Sequence, residues 1–379
     1  MEDLEKTIGN AKKAENDKDW NLAAELYGQL YDIDGSNPDW PYRRGLSLER
    51  AKRYQESVSS YLQALSMKQK HEWWHRVGVS AECNKDHRLA KEAYSKSLDL
   101  KGGNQNAAYE LLEHSVSAFT ARYRTLEYLQ QKLPVIKVRA EKRSCRQSSD
   151  IKIFTYWDSG FDRAPAVVRA CYREMIRIHG KENVVALDSE NWRFYVDIPK
   201  HITDKSPANK AHFSDVLRAA LLAEYGGIWA DATCLFSRNV INEFDHLSHS
   251  GFFSYHYTTA RISSWFLCSS GDNYIAKMLF EAMNEYWKDH DTLQHYFMFH
   301  HMLEVLYLID DKFRGCWDES TKASSREPHI IQKYMMTPYK KKEFDKAYNN
   351  ASVHKLTYKF NMEDLKNNSI ISHIVRGDF

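Results

Sequence analysis

Paired cysteines, prolines, glycines and an excess of either charge are all scarce in this 379-residue chain, and each scarcity removes a class of protein. Six cysteines, Cys83, Cys145, Cys171, Cys234, Cys268 and Cys316, are scattered with no CxxC pair and no histidine at zinc-ligand spacing, which argues against a zinc module and for free thiols. Fifteen glycines and eight prolines are too few for a collagenous or low-complexity chain. Lys plus Arg number 53 against 51 for Asp plus Glu, so no global field marks a nucleic-acid binder. A long apolar run is missing as well. The opening MEDLEKTIGNAKKAENDKDW is too charged for the core of a signal peptide, and the most apolar later stretch is broken by Arg218, Glu224 and Asp231. The expectation is a cytoplasmic protein without a membrane span, at most peripheral at the inner face of the membrane.

What the chain does have is material for a core: 43% of its residues are apolar and 13% aromatic. Its length suggests two or three domains. A period runs through the first third. Ala23 and Tyr27, Ser57 and Tyr61, and Ala90 and Tyr94 each set a small residue four places before an aromatic, at intervals of 34 and then 33. Gly45 and Leu48 match Gly78 and Ala81 in the preceding helices. These positions resemble the tetratricopeptide repeat, in which small residues let two antiparallel helices approach and the aromatic fills the gap to the next repeat. Residues 1–133 are therefore expected to form a helical repeat domain, with three repeats over about 4–101 and a capping helix pair after Gly102-Gly103. Such a stack offers a concave face for a protein partner or for self-association.

Residues 134–150, PVIKVRAEKRSCRQSSD, read as a linker: Pro134, five basic residues and a Ser-Ser-Asp end. The bases are expected to form a solvated face, with a patch for anionic lipid or an acidic glycan as the other reading. From Asp150 the pattern changes. IKIFTYW is a short strand, 165–179 a helix, NVVALD a strand, 207–225 a helix and IWAD a buried strand. Strands alternating with helices predict an α/β domain over 151–379, with a largely parallel sheet and ligands at the carboxyl ends of its strands. Tyr156, Trp157, Asp158, Asp188 and Asp231 fall along that rim. On the helix from Asn209 to Glu224, Phe213, Val216, Leu217, Ala220 and Leu221 make one apolar stripe, while His212, Asp215 and Arg218 lie on the opposite face.

The segment AHFSDVLRAALLAEYGGIWADAT resembles the nucleotide-sugar signature of bacterial capsular polysaccharide synthesis glycosyltransferases and the related glycosyltransferase family 32. That signature is written approximately SD-x-x-R, eight residues, GG-x-x-x-D-x-D or D-A-T. IFTYWDSGFDRAPAVVRAC is similar to the family's first strand and helix. The resemblance covers about 150–379, strongest over 151–171 and 208–234. It implies a GT-A (Rossmann-like) fold, giving an α plus α/β chain overall, and transfer of a sugar from a nucleotide donor, commonly a UDP-sugar, to a glycan acceptor, with retention. Asp231 would take the first position of the DXD motif and, with Asp215 and Arg218, form the catalytic set. Tyr156 or Trp157 would meet the base, and Asp158, Asp188, His212, Gly226, Gly227 and Thr233 would complete the donor side.

The chemistry asks for such residues. A diphosphate leaving group gathers negative charge as the glycosidic bond breaks, so the site needs a divalent cation, Mn²⁺ or Mg²⁺, or fixed positive donors. Thr233 stands where the second aspartate of DXD would lie, and a hydroxyl is a poorer ligand for these ions than a carboxylate. His373, in ISHIVRGDF, holds the position from which some GT-A enzymes send a histidine to the metal. His256, Trp265 and His300 are candidates for the acceptor side, with core packing the other fate of Trp265. His295 and His301, on an expected helix 293–309, are poorly spaced to share a metal. The competing function is a repeat-based interaction scaffold whose transferase domain has lost activity, and Thr233 is its best support.

Overall fold

In a computed structural model of the chain, residues 2–146, 150–205, 210–257, 260–360 and 368–379 are described. The chain divides into two compact units, Met1–Leu126 and Glu127–Phe379. In the first, helices Glu2–Asn16, Trp20–Ile33, Asp39–Arg50, Tyr54–Met67, His71–Cys83 and His87–Lys101 form three hairpins, followed by Asn106–His114. The turn inside each hairpin carries a lysine with positive φ: Lys18 at 58°, Lys52 at 61° and Lys85 at 63°. Asp19 and Asp86 then cap the second helix of their hairpins by accepting from the backbone N–H groups of Leu22 and Leu89. Between neighbouring helices the small residues do what their period demands. A Cβ on Gly45 would come within 2.5 Å of the Tyr61 ring, and one on Gly78 within 2.5 Å of Tyr94.

In the second unit eight strands are described: β1 Ile153–Tyr156, β2 Val184–Leu187, β3 Gly227–Ala230, β4 Cys234–Phe236, β5 Phe252–Tyr257, β6 Ala260–Ser269, β7 Thr321–Ser324 and β8 Val353–Lys355. Six form one sheet in the order β2-β1-β3-β6-β5-β7, and β4 pairs with β8 in a second. The large sheet is mixed, with three of its five strand pairings parallel and two antiparallel. β1 runs parallel to β2 and β3, β6 is antiparallel to both β3 and β5, and β7 is parallel to β5. The cause lies in the connections: helices link β1, β2 and β3, whereas two residues between β5 and β6 leave no length for a crossover. Helix Ala166–His179 covers the face that carries Ile153, Ile228 and Cys268, with Met175 in their cluster. Helix Lys210–Tyr225 lies against β1, β3 and β6 and against helix Tyr274–Asp289.

The expected linker needs a correction. Residues 134–142 belong to helix Phe119–Lys142, with Pro134 inside it. Its bases are not a free solvated face, because acidic side chains packed into the α/β unit draw them in. Lys132 pairs with Asp289 at 2.7 Å and Lys137 with Asp310 at 2.7 Å, while Arg139 pairs with Glu285. Arg143 meets Glu281 at 2.8 Å and Arg146 meets Glu224 at 2.8 Å. Glu281, Glu285 and Asp310 are buried, and a buried carboxylate without a partner costs several kcal/mol, on the order of 3–5. Among the described residues no helix is long and apolar enough to cross a membrane.

Candidate functional site

The chain leaves β1 on one side toward β2 and returns on the other side as β3, which opens a crevice at the carboxyl ends of these strands. β1 and β3 are in register with Ile153 opposite Ile228 and Phe154 opposite Trp229, so Tyr156 at the end of β1 is level with Asp231. Asp231 follows β3 directly, and its backbone N–H donates to the Trp265 carbonyl at 2.8 Å. Strand alternation points Trp229 and Asp231 the same way. The Trp229 indole Nε1–H donates to Asp231 Oδ1 at 3.0 Å.

Arg218 joins the two acidic residues. Its guanidinium donates to Asp215 Oδ1 at 2.5 Å, to Asp231 Oδ1 at 3.2 Å and to Ser214 Oγ at 3.3 Å. The rings of Trp229 and Phe299 flank it at 5.2 and 5.6 Å. Arg218 is only 4% exposed and His212 is buried too, so their helix has no solvent face here. The face opposite the apolar stripe is enclosed as well: the helix lies between the sheet on one side and helices Tyr274–Asp289 and Met298–Ile309 on the other. Residues 207–209 of the expected helix, Asn209 included, lie outside the described residues.

Lys355 closes the other side of Asp231. Its Nζ donates to Asp231 Oδ2 at 2.7 Å and to Thr233 Oγ1 at 2.8 Å. Burial by itself would raise the Asp231 pKa, but the Lys355 ammonium and the Arg218 guanidinium outweigh it and hold the carboxyl below its ordinary value. Burial likewise disfavours charge on Lys355, yet Asp231 beside it leaves the ammonium more firmly protonated than usual. Sequence reasoning misses Lys355 because nothing local marks it. It is one lysine in a three-residue strand, and only the β4–β8 pairing, with Cys234 opposite Lys355, brings it to the site.

Other predicted residues gather around this core. The Tyr156 hydroxyl donates to Asp158 Oδ1 at 2.9 Å, and Asp158 is paired with Lys210 at 2.5 Å. Trp157 meets Tyr358 edge-on at 5.1 Å. Asp188, just beyond β2, accepts the backbone N–H groups of Glu190 and Asn191 at 2.9 Å, which makes it a turn carboxylate in the same rim. His212 Nδ1 lies 3.7 Å from Asp215 Oδ2 and its ring faces the exposed Tyr296. The His300 imidazole is pushed down to about 4, first by burial, in a field shared with Asp215, Arg218 and Asp231. Its Nδ1 is buried and has no hydrogen-bond partner among the described residues.

Five further predicted residues have other contacts. Gly226 and Gly227 sit at the amino end of β3, the end away from Asp231. Both have positive φ, and a Cβ on either would press to 2.7–2.8 Å from the backbone of neighbouring segments, so they allow close packing at that end of the strand. Trp265 is core, stacked on Tyr255 at 4.8 Å, and supports the site only through its carbonyl. His256 is on β5, with its Nδ1 near the Tyr257 carbonyl at 3.4 Å. His373 stacks on Tyr339 at 4.0 Å and bonds Asn368 at 3.0 Å and Asp378 at 3.0 Å, sharing no partner with Asp231. His295 and His301, by contrast, do meet, at 2.9 Å. The helix begins at Met298, so His295 is free of the helical spacing that would have parted them.

A divalent cation finds a poor set of ligands here. Both Asp231 oxygens and the Thr233 hydroxyl already accept from positively charged or indole donors, and His373 is engaged with other residues. Among the described residues no group of three or more His, Cys, Asp or Glu side chains is arranged to hold a metal ion.

Taken together, the sheet and the cluster define a mixed α/β unit with a partly buried charged cluster at the switch point of its sheet, the place where open α/β sheets commonly take a ligand. The family model described as capsular polysaccharide synthesis protein matches residues 106–374, and the chain belongs to that family. No curated protein matches the sequence. Membership ties the chain to capsular polysaccharide synthesis and points to a transferase role.

Proposed function

We propose that the chain is a nucleotide-sugar-dependent glycosyltransferase of GT-A type that adds a sugar to a growing capsular or other cell-surface polysaccharide. The observation that carries this reading is the Asp215–Arg218–Asp231 relay at the carboxyl end of β3, in a family concerned with capsule synthesis. In the reaction the bond from the anomeric carbon to the donor's diphosphate breaks, a bond to an acceptor hydroxyl oxygen forms, and the hydroxyl proton passes to the departing diphosphate or to water. The chain's task is to orient both substrates, exclude water and stabilise the charge that collects on the leaving diphosphate. Arg218 and Lys355 are the cations at hand, and the aromatic edge of Tyr156, Trp157 and Tyr358 is suited to a nucleobase. His300, neutral through the physiological range, suits a contact with an acceptor hydroxyl.

A UDP-sugar donor, retention of configuration, cytoplasmic action at the inner face of the membrane and tetratricopeptide-type recognition of a protein partner by the first unit belong to the same proposal. The test is to incubate the chain with a panel of nucleotide sugars and measure nucleoside diphosphate release with and without capsular oligosaccharides. Release from one donor, accelerated by acceptor, is expected. No release from any donor would favour the scaffold reading, for which Thr233 in place of a second carboxylate speaks.

A further inference from the structure

The ligands around Asp231 suggest why the Asp-Ala-Thr run lacks its second carboxylate. We propose that Lys355 takes the place of the divalent cation, so that the donor's diphosphate is bound by the fixed cations Lys355 and Arg218 without a metal; this rests on the donor-site reading above.

Three observations carry the proposal. The first is position. The Lys355 ammonium contacts the first and last residues of the Asp-Ala-Thr run, Asp231 at 2.7 Å and Thr233 at 2.8 Å, the two side chains from which a metal would be held. The second is charge matching. Two carboxylates here would call for a divalent ion, whereas one carboxylate and one hydroxyl are satisfied by a single ammonium, the carboxylate accepting charge and the hydroxyl a second N–H. Thr233 is then the residue that fits Lys355 and not a damaged aspartate.

The third is rigidity. Lys355 is held by the β4–β8 ladder opposite Cys234, and the next residue, Leu356, donates its N–H to the Thr233 carbonyl at 3.0 Å. The side chain is 20% exposed against 26% for Asp231, so the pair sits at a wall reachable from solvent and is not sealed in the core. An ammonium has three N–H donors, and the two contacts described leave one for a phosphate oxygen. Arg218 likewise keeps its Nε–H without a hydrogen-bond partner among the described residues. With Asp215 and Asp231 matched by Arg218 and Lys355, the diphosphate is gripped by directed donors, as preorganised sites grip developing charge.

The test is calorimetric titration of the full chain with UDP, GDP, CDP and ADP, in excess EDTA and again in millimolar Mn²⁺. The nucleotide that binds is expected to do so within about threefold of the same affinity in both media. Lys355→Met should weaken it about tenfold or more in EDTA, the loss of one hydrogen bond to a charged group, while Lys355→Arg should keep most of the affinity. In the double variant Thr233→Asp, Lys355→Met, binding should become dependent on Mn²⁺, a gain that an unfolded protein could not show. Wild-type binding seen only with Mn²⁺ overturns the proposal and leaves the donor site standing. Unchanged affinity in a folded Lys355→Met protein also overturns it. No binding of any nucleotide in either medium removes both this proposal and the donor-site reading.

Discussion

Tyr61 and Tyr94 in the helical unit each donate to a glutamate twelve residues back, Glu49 and Glu82, whereas Asp231 in the α/β unit meets an ammonium 124 residues ahead. The helical unit satisfies these hydroxyls from the preceding helix and repeats the solution at two successive periods, with Arg76 of the next hairpin also on Glu49. The α/β unit satisfies Asp231 across the fold, where one side chain serves two or three partners. Removing a polar residue should therefore have a contained effect in the first unit and a spreading one in the second.

The sharpest break should come at Asp231. Asp231→Asn is nearly isosteric and leaves Arg218 and Lys355 without their shared carboxylate, so transfer should fall by about 10³-fold while circular dichroism stays unchanged. Wild-type turnover in that variant would end the donor-site argument. Arg218→Ala should lower kcat/KM by about 10²-fold and also cost about 3 kcal/mol of stability, because Asp215 and Asp231 lose their common partner in a nearly closed pocket. If only stability falls, Arg218 holds the fold and not the substrate.

Truncation tests the comparison at the level of segments. A chain starting at Asp150 loses the partners of Glu281, Glu285 and Asp310 and should melt at least about 5 °C below one starting at Glu127. Equal melting of the two would return 134–150 to the status of a linker.

Two histidines, His354 fully buried and His300 half-buried, set the response to acid. Burial is the main cause that brings both His300 and His354 down to about 4 in the folded protein, against 6.5 for the free side chain. The unfolded chain therefore takes up their protons first as pH falls. Their contribution to stability is whole above pH 6.5 and is lost progressively as pH drops toward 4. His300→Asn should flatten part of that fall in a plot of Tm against pH; an unchanged slope would show that the imidazole is not held neutral. The smallest effect belongs to the helical unit. Lys52→Gly relieves a left-handed turn and should stabilise by about 1 kcal/mol, with no change in donor hydrolysis.

The same contrast explains which features are legible in the sequence. The small-aromatic period of 34 and 33 is local, and a glycine packed on the Tyr61 ring leaves a trace in neighbouring residues. Asp215, Arg218 and Asp231 are legible because they lie within one helix, one turn and one strand of each other. Trp229 can be found by strand alternation, two residues before Asp231. Lys355 and the acidic partners of the 132–146 bases are not legible, since their meeting depends on strand order and helix docking, which leave no periodic mark. Gly226 and Gly227 are legible as the break between helix and strand, and the structure adds the close backbone neighbours that require them. FFSYHYTTARISSWFLCSSGDN reads as two strands with a short connection, which is the antiparallel β5–β6 pair, but its place beside β3 is not legible because alternating strands and helices describe only β1 to β3.

Order of synthesis gives the long-range contacts a meaning in time. Each helical hairpin can close as soon as its second helix leaves the ribosome. Tyr128, Arg139 and Arg143, however, wait 161, 146 and 138 residues for Asp289, Glu285 and Glu281. At about 5–20 residues per second that is on the order of 7–30 s during which these side chains lack these partners. Asp231 waits a further interval of the same kind, and Lys355 completes its surroundings only when β8 has been made. A nascent or truncated chain lacking β8 would carry Asp231 with Arg218 and Trp229 but without its ammonium, so the charge of the cluster is balanced only after β8 has been made.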